Sequence, residues 1–310
     1  MDSVWSFKTF NLGRELETAG EFIYESAKKM IGIKNFYNKY EVNTILYLGS
    51  VGIERLQKIL LCLYCMNTES DFDTPPQCLL NHNHLDLQKE ITKYADCKLL
   101  KEDMSLLSIF QDYYHDYRYG NYRLFDGKDV RELLARFFKK TNKPLDIEIG
   151  YTEFQKDSFA KIYINHLGAI AKKLFKLIRD KACELNIYTY ELDSESNSIR
   201  VFYLEEGKTL FEQMINERIS VKELMIYIRR YNGHDGVFSI LDEMQPLEYD
   251  SGMIQDYIHQ LCRGNTSDDL CSSTDELYCI IATEKDKIAR KNEVDLIGNN
   301  DLWFDYELDD

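Results

Sequence analysis

The apolar residues between positions 42 and 66 recur at the spacing of an α-helix. No proline interrupts this stretch, and two apolar stripes lie side by side along it. Its polar residues fall on one strip of the helical wheel: Ser50, Glu54, Arg55, Gln57 and Lys58. Gly49 and Gly52 are unfavourable inside a helix unless a neighbour packs against their bare backbone. We therefore predict a central helix that another helix crosses at these two glycines.

Other helical patterns surround this central helix in the first half of the chain. They cover residues 14–33, a segment that starts at His84 or Leu85, residues 104–117 and residues 126–140. Asp103 has the chemistry of an N-cap for the third of them. The Lys143-Pro144 pair ends the series, because proline cannot continue a helix. Residues 1–144 are therefore predicted to form a five-helix bundle.

The pattern changes after residue 144. Residues 145–149 alternate between apolar and polar, as a half-buried strand does, and Thr152 with Gln155 has the spacing of a capping box for a helix to about residue 185. Two alternating runs, residues 187–192 and 199–204, flank a polar segment. This arrangement predicts a β-hairpin.

Weaker patterns follow the hairpin. Ser220 with Glu223 predicts the start of a helix to about Arg230, and short helices are predicted at 252–262 and 274–291. The predicted fold class is mainly α, with an N-terminal helical bundle, an α+β segment with a small β-hairpin, and an acidic C-terminal region. The predicted domain limits are 1–144, 145–232 and 233–310.

The net charge of −15 is concentrated at the C-terminal end. Residues 231–310 hold 19 Asp and Glu against 5 Lys and Arg, whereas the first 230 residues hold 34 against 33. Such a segment can stay solvated, mimic a nucleic acid, or cover a basic surface. The dense basic stretch of the chain is on the predicted helix 152–185, and we take four of its residues as a candidate basic face: Lys172, Lys173, Lys176 and Arg179. One hypothesis is that the acidic tail covers this face or competes there with nucleic acid.

The remaining composition is that of an ordinary globular protein. The 310 residues contain no apolar run of about eighteen residues and no secretory signal at the start, so we expect a cytoplasmic protein without a membrane span. Eight scattered cysteines are typical of reduced, buried thiols. The spacing of Cys62, Cys65, Cys78 and His82 also suits zinc, but two of these cysteines lie inside the central helical pattern. We therefore expect no metal and no cofactor.

Residues 110–125 interleave tyrosines with basic side chains. Aromatic faces stack on bases and guanidinium groups hold phosphate, so this composition suits single-stranded RNA or a nucleotide. The alternative is structural, because tyrosines near a helix end commonly pack their rings and hydrogen-bond their hydroxyls. Asp112 and Asp116 also reduce the positive potential.

Three segments together resemble the HEPN superfamily of small helical-bundle domains. They are GIERLQKILLCLY at 52–64, HNHLDLQKEI at 82–91 and YYHDYRYGNYRLF at 113–125. The resemblance implies a helical bundle that often forms a homodimer and that binds nucleotides or RNA, or cleaves RNA without a metal. It also implies a place in prokaryotic antiviral defence. We take seven residues of these segments as candidate ligand-binding residues: Arg55, Lys58, His84, His115, Arg118, Tyr119 and Arg123.

Cleaving members of that superfamily carry an arginine followed, after four to six residues, by a histidine. The first 144 residues lack this motif, which favours a non-catalytic member. Arg229 and His234 match the spacing, but chance alone gives roughly one match in a chain of this composition. These two residues are the catalytic pair of the alternative prediction, a metal-independent ribonuclease.

The chain shows no P-loop, no G-x-G-x-x-G and no H-E-x-x-H motif. The preferred prediction is a non-catalytic HEPN-like binding protein for a nucleotide, RNA or a protein partner. A third prediction is an acidic inhibitor or adaptor that acts through protein contacts.

Overall fold

The computed structural model describes residues 2–33, 36–119, 128–141, 156–231, 233, 237–262, 264 and 268–297. Within these ranges every regular element is a helix. The chain divides into two compact units, residues 1–216 and 217–310.

The first unit contains nine complete α-helices in the described ranges. They are α1 (Ser3–Ser6), α2 (Leu12–Gly32), α3 (Lys39–Cys65), α4 (Ser70–Asp73), α5 (His84–Ile91), α6 (Lys101–Asp112), α7 (Val130–Lys140), α8 (Lys156–Glu184) and α9 (Asn197–Phe202). Two π-helical turns, Phe7–Asn11 and Tyr113–Tyr117, and a 3-10 turn, Gln77–Leu80, accompany them. The next helix, α10 (Leu210–Arg230), begins in the first unit. The second unit also contains α11 (Val237–Glu243), α12 (Ile254–Leu261), α13 (Asp268–Ile280) and α14 (Glu284–Val294).

Helix α3 is the centre of the first unit, as its apolar pattern predicts. It contacts α2, α5, α6, α7 and α8. A Cβ atom added at Gly52 would lie 2.7 Å from Ile23 Cγ1 in α2. One added at Gly49 would lie 3.0 Å from Phe110 in α6 and 2.5 Å from the Tyr163 hydroxyl in α8. The predicted crossings at the two glycines are confirmed.

Part of the polar strip of α3 is buried, since Ser50 and Gln57 are at most 2% exposed. The Gln57 amide donates to the carbonyl oxygen of His84 at 3.0 Å, and Ser50 Oγ donates to the carbonyl oxygen of Tyr47 at 3.0 Å. Helix α5 packs against α3 and brings His84 to Gln57. Both buried polar side chains thus have a backbone acceptor, which for Gln57 lies on α5 and for Ser50 lies in the preceding turn of α3.

Helix α8 completes the packing around α2 and α3. The Tyr163 hydroxyl lies 2.9 Å from Ser26 Oγ, which donates to the carbonyl oxygen of Ile45 at 2.9 Å. Burial raises the pKa of Tyr163 above its usual value, while the hydrogen bond to Ser26 opposes the shift. The compact unit thus contains α8 and the five predicted bundle helices. The predicted domain limit near residue 144 lies outside the described residues.

The predicted β-hairpin is wrong. Residues 187–192 contain no strand, and residues 199–204 overlap α9. Ser196 Oγ accepts the backbone N–H two residues later, which makes it the N-cap, and the Glu21 carboxylate accepts the N–H of Asn197 at 2.9 Å. The buried side chains of α9 follow helical spacing: Ser198, Val201 and Phe202. The polar run that suggests a turn is therefore the start of a helix.

Two predicted helix starts are also wrong. Helix α10 begins at Leu210, because Thr209 and Glu212 form a reciprocal capping box, and Ser220 lies inside the helix. Helix α6 begins at Lys101, where the Asp103 carboxylate accepts the N–H of Leu100 at 3.0 Å from within the first turn.

Two sequence predictions fall outside the described residues. They are the strand at 145–149 and the capping box of Thr152 and Gln155. The helix predicted at 274–291 is two helices, α13 and α14, and Thr283 caps the second of them.

Candidate functional site

A cleft of about 480 Å³ lies along one side of α3 in the first unit. The residues of α3 that line it recur at helical spacing: Tyr47, Val51, Glu54, Arg55, Lys58, Ile59 and Cys62. The other walls are formed by Phe7 before α2, Leu12 and Glu15 of α2, His82 before α5, and Tyr114 and Arg118 after α6. We call this site the cleft. It brings together three of the predicted ligand-binding residues, Arg55, Lys58 and Arg118.

The π-helical turn after α6 places two of these side chains. Tyr113 is buried, and its hydroxyl donates to Asn43 Oδ1 at 3.1 Å. Burial raises the pKa of Tyr113 to about 12, so this hydroxyl keeps its proton. The backbone N–H of Arg118 donates to the carbonyl oxygen of Tyr113 at 2.8 Å. This anchored turn directs Tyr114 and Arg118, four residues apart, to the cleft.

Three tyrosine rings surround the Arg118 guanidinium. Its carbon lies 5.2 Å from the ring centroids of Tyr47, Tyr114 and Tyr119. Each ring attracts the cation through its negative face. Among the described residues Arg118 forms no ion pair with a carboxylate. The rings therefore position the guanidinium without neutralising its charge.

His82 extends this aromatic group. Its ring stacks on Tyr114 with the centroids 5.0 Å apart and the planes at 15°, and its side chain is 46% exposed. Tyr114 covers one face of the imidazole, and almost half of the side chain remains exposed to solvent. The cleft thus offers a stacking surface for a further ring.

Glu54 ties His82 to Lys58. Its Oε1 atom lies 2.8 Å from His82 Nδ1 and 3.0 Å from Lys58 Nζ. Burial alone would raise the pKa of the Glu54 carboxyl, but the Lys58 ammonium and the His82 hydrogen bond hold it below its usual value. Glu54 therefore stays ionised and fixes both partners at the cleft wall.

Arg55 is neutralised in a similar way. Its guanidinium pairs with the Glu15 carboxylate and lies 5.5 Å from the ring centroid of Phe22. Glu54 pairs with Lys58 and Glu15 pairs with Arg55, so among the charged residues of the cleft the positive charge of Arg118 is not compensated. This charge can attract one anionic group into the cleft.

The cleft wall contains one thiol, which is not reactive. Burial raises the pKa of Cys62 to about 12, so it stays protonated near neutral pH. Cys65 and Cys78 line a different pocket with Tyr94. In the described ranges no group of three or more His, Cys, Asp or Glu side chains is arranged to hold a metal ion. The zinc alternative with Cys62, Cys65, Cys78 and His82 is therefore not assembled.

His84 lies in the core behind the cleft. Its Nδ1 atom is 3.1 Å from Gln57 Oε1, and burial lowers its pKa to about 4. Because the Gln57 amide nitrogen already donates to the His84 carbonyl, Gln57 Oε1 is the acceptor and Nδ1 carries the proton. His84 is therefore a neutral residue that joins α5 to α3.

The other predicted site residues lie apart from the cleft lining. His115 and Tyr119 are exposed, and the His115 ring meets Tyr114 edge-on with the centroids 5.8 Å apart. Arg229 is exposed on α10. Arg123 and His234 lie outside the described residues, so the structure does not place the alternative catalytic pair.

The predicted basic face lies on α8. Three of its residues are exposed: Lys172, Lys176 and Arg179. The Lys173 ammonium instead donates to the carbonyl oxygen of Lys98. The basic face borders a second cavity, which is separate from the cleft.

Most residues of the cleft lining were not predicted as ligand-binding, among them Tyr47, Glu54, His82 and Tyr114. Tyr47 and Glu54 share the helical stripe of Lys58, so the spacing along α3 was a sufficient signal for both. The stacking of His82 on Tyr114 depends on the path of the loop before α5, and no spacing rule predicts it.

No helix in the described part of the chain has the length and apolar character that a membrane crossing requires. A comparison with protein-family models gave no match, and comparisons with curated proteins and with solved structures gave no significant match.

Proposed function

We propose that this chain is a binding protein whose cleft holds a nucleotide or one nucleotide of a single-stranded RNA. The observation that carries the proposal is the Arg118 guanidinium, held by three tyrosines with no ion pair in the described part of the chain. A guanidinium in this state can form charge-assisted hydrogen bonds to a phosphate.

The stack of His82 on Tyr114 supplies the second half of the proposed site. A base placed on the open face of His82 extends the stack, and stacking tolerates any base because every base has a π-face. Lys58 Nζ lies 3.4 Å from His82 Nδ1 and so borders the same space. The base of the ligand would thus stack on His82 while its phosphate pairs with Arg118 in the same cleft.

The charge of the cleft limits the ligand. The carboxylates of Glu15 and Glu54 oppose Arg55 and Lys58, which leaves one net positive charge for the ligand. A single phosphate matches this charge better than a triphosphate does. We therefore favour a nucleoside monophosphate or an internal nucleotide of an RNA strand.

The wider proposal rests on the resemblance of three segments to the HEPN superfamily. It describes the chain as a non-catalytic HEPN-like member that acts in prokaryotic antiviral defence, with formation of a homodimer as a further expectation. Each of those segments contributes residues to the cleft lining, among them Lys58, His82 and Arg118.

The test measures binding of a labelled single-stranded RNA and of adenosine monophosphate to the purified chain. Arg118→Ala should raise the Kd of both ligands at least about tenfold, because it removes a charge-assisted contact of about 1.5–3 kcal/mol. Tyr114→Ala should weaken binding about as much through lost stacking, whereas Tyr114→Phe should keep most of the affinity.

Arg136→Ala is the matched control, because Arg136 is half exposed and already pairs with Asp112 at 2.8 Å. It should leave the Kd unchanged. Absence of binding at millimolar ligand, or equal effects of Arg118→Ala and Arg136→Ala, would refute the proposal.

A further inference from the structure

A second cavity of about 500 Å³ lies in the first unit, between the exposed side of α8 and the end of α9. Lys172, Lys176 and Arg179 border it from α8, and Phe202, Tyr203 and Leu204 border it from the other side. We call this site the α8 groove. None of its lining residues belongs to the cleft.

The floor of the α8 groove is aromatic. The rings of Phe175 and Phe202 stack with their centroids 4.7 Å apart and their planes at 15°. Tyr203 meets Phe175 edge-on at 5.2 Å, and its hydroxyl donates to the carbonyl oxygen of Tyr190 at 2.8 Å. This hydrogen bond fixes the Tyr203 ring, which is 44% exposed. Phe175 and Phe202 are only 3% and 4% exposed, so the solvent-facing aromatic surface of the groove is the Tyr203 ring, held in place by the two buried rings.

The rim of the α8 groove is cationic. Lys172, Lys176 and Arg179 follow one another at four and three residues, so they stand on one face of α8. All three are exposed, and within the described ranges none of them forms an ion pair. Glu205, the acidic residue next to Leu204, pairs instead with Lys208 at 3.8 Å. The rim thus keeps its positive charge although the whole chain carries −15.

We propose that the α8 groove binds an acidic peptide segment of a partner protein. One aromatic or aliphatic side chain of the peptide packs on Tyr203 and Leu204, beside the buried rings of Phe175 and Phe202. The carboxylates of the peptide pair with Lys172, Lys176 and Arg179. Apolar burial supplies affinity, and the rim supplies charge complementarity and orientation.

The apolar floor favours a peptide over RNA at this site. The edges of a base carry donors and acceptors that lose water on burial and find few partners among phenylalanine rings. A buried phenylalanine or leucine side chain has no such requirement. Residues 231–310, with 19 acidic against 5 basic residues, repel an acidic peptide, whereas the three cations of the rim attract it.

The experiment uses the full chain and a fluorescent peptide of about ten residues, rich in Glu and Asp with one central Phe. Fluorescence anisotropy should show saturable binding that weakens with added salt. Replacing the central Phe of the peptide by Ala should raise the Kd at least about tenfold, because it removes most of the apolar burial. The double variant Lys172→Glu/Lys176→Glu should weaken binding to at least a similar extent.

The control variant Lys139→Glu/Lys140→Glu makes the same change of charge at two exposed lysines on α7. It should change the Kd less than about twofold. Arg118→Ala in the cleft should leave peptide binding intact, so failure of the nucleotide proposal and failure of this one are distinguishable.

Three results would overturn the inference. They are equal affinity for the Phe and Ala peptides, equal effects of the two double variants, and displacement of the acidic peptide by single-stranded RNA at lower concentrations than by unlabelled peptide. Circular dichroism of each variant confirms that the helices are retained.

Discussion

Helix α3 and the second half of α10 are both rich in apolar residues, yet their surroundings differ completely. Along α3 most of the large apolar side chains are buried, and Ile45, Leu56 and Leu60 have no exposed surface. Between residues 217 and 230 of α10, six large apolar side chains are each at least 36% exposed: Ile219, Val221, Leu224, Ile226, Tyr227 and Ile228. An apolar pattern thus indicates which side chains can be buried. Whether they are buried depends on the helices that pack against them.

The glycines of α3 account for part of the difference. At Gly49 and Gly52 other helices approach so closely that even a Cβ atom would collide with them. Residues 217–230 contain no glycine, and charged residues interrupt the apolar ones. Close approach needs small residues at the crossing point, and α3 supplies them whereas α10 does not.

The largest expected effect is a contrast between matched leucines in these two helices. Leu56→Ala should lower the free energy of unfolding by about 2–5 kcal/mol, because it removes a buried side chain and leaves a cavity. Leu224→Ala, at a residue that is 56% exposed, should change it by less than about 0.5 kcal/mol. Urea unfolding followed by circular dichroism measures both values. Comparable losses would show that α10 is packed as tightly as α3.

The second expected effect is a pH dependence carried by His84, the neutral residue between α5 and α3. Burial lowers its pKa from 6.5 to about 4, with the nearby Glu54 charge opposing the shift and Lys58, His115 and His82 adding to it. Between these pH values the unfolded chain binds a proton that the folded chain does not. The contribution of neutral His84 to the free energy of unfolding is therefore fully present above about pH 6.5 and is lost as the pH falls toward 4.

The expected loss is on the order of 3 kcal/mol between pH 7 and pH 4. His84→Gln should flatten this part of the stability profile, since glutamine keeps a polar contact with Gln57 but does not titrate. His259→Gln on the exposed surface of α12 is the control and should keep the slope. An unchanged slope in His84→Gln would show that other groups carry the acid sensitivity.

The smallest expected effect compares two glycines of α2. A Cβ atom added at Gly20 would lie 2.8 Å from the Cα atom of Ser198 in α9, whereas one added at Gly13 would meet the carbonyl oxygen of Thr189 at an ordinary 3.6 Å. Gly20→Ala should destabilise the chain by about 1–2 kcal/mol, because overpacking against backbone exceeds the gain in helix propensity.

Gly13→Ala should instead stabilise the chain by up to about 1 kcal/mol, because alanine favours a helix and the added atom has room. Thermal unfolding of both variants provides the comparison. If Gly20→Ala and Gly13→Ala changed the stability equally, the short distance between Gly20 and α9 would not be what forbids a side chain there.

The arrangement around α3 was predictable from the sequence, and α9 was not. The periodicity of residues 42–66 and the two glycines indicated an enclosed helix with close neighbours, because both signals are local. The run Asp-Ser-Glu-Ser-Asn-Ser at 193–198 is equally typical of a hairpin turn and of a helix N-terminus. The contact of Asn197 with Glu21 on α2 decides between them, and it joins residues 176 positions apart.

The candidate site shows the same limit. Arg55, Lys58 and Arg118 were predicted from residue type within the resembling segments, and the cleft brings them together. His84 was predicted beside them, but Gln57 holds it in the core. The stack of His82 on Tyr114 depends on the path of the loop before α5, which has no periodic signal.

The hydrogen bond between the hydroxyls of Tyr163 and Ser26 indicates how long a fragment must be to fold on its own. A fragment that ends after α7 would keep α2 and α3 but would lose α8, which packs against both of them. Ser26 would lose Tyr163, and the apolar surfaces that α8 and α9 cover would be open to water. The minimal folding fragment therefore extends past α9 to about Asn216, because Leu210 and Met214 of α10 are buried in the same core.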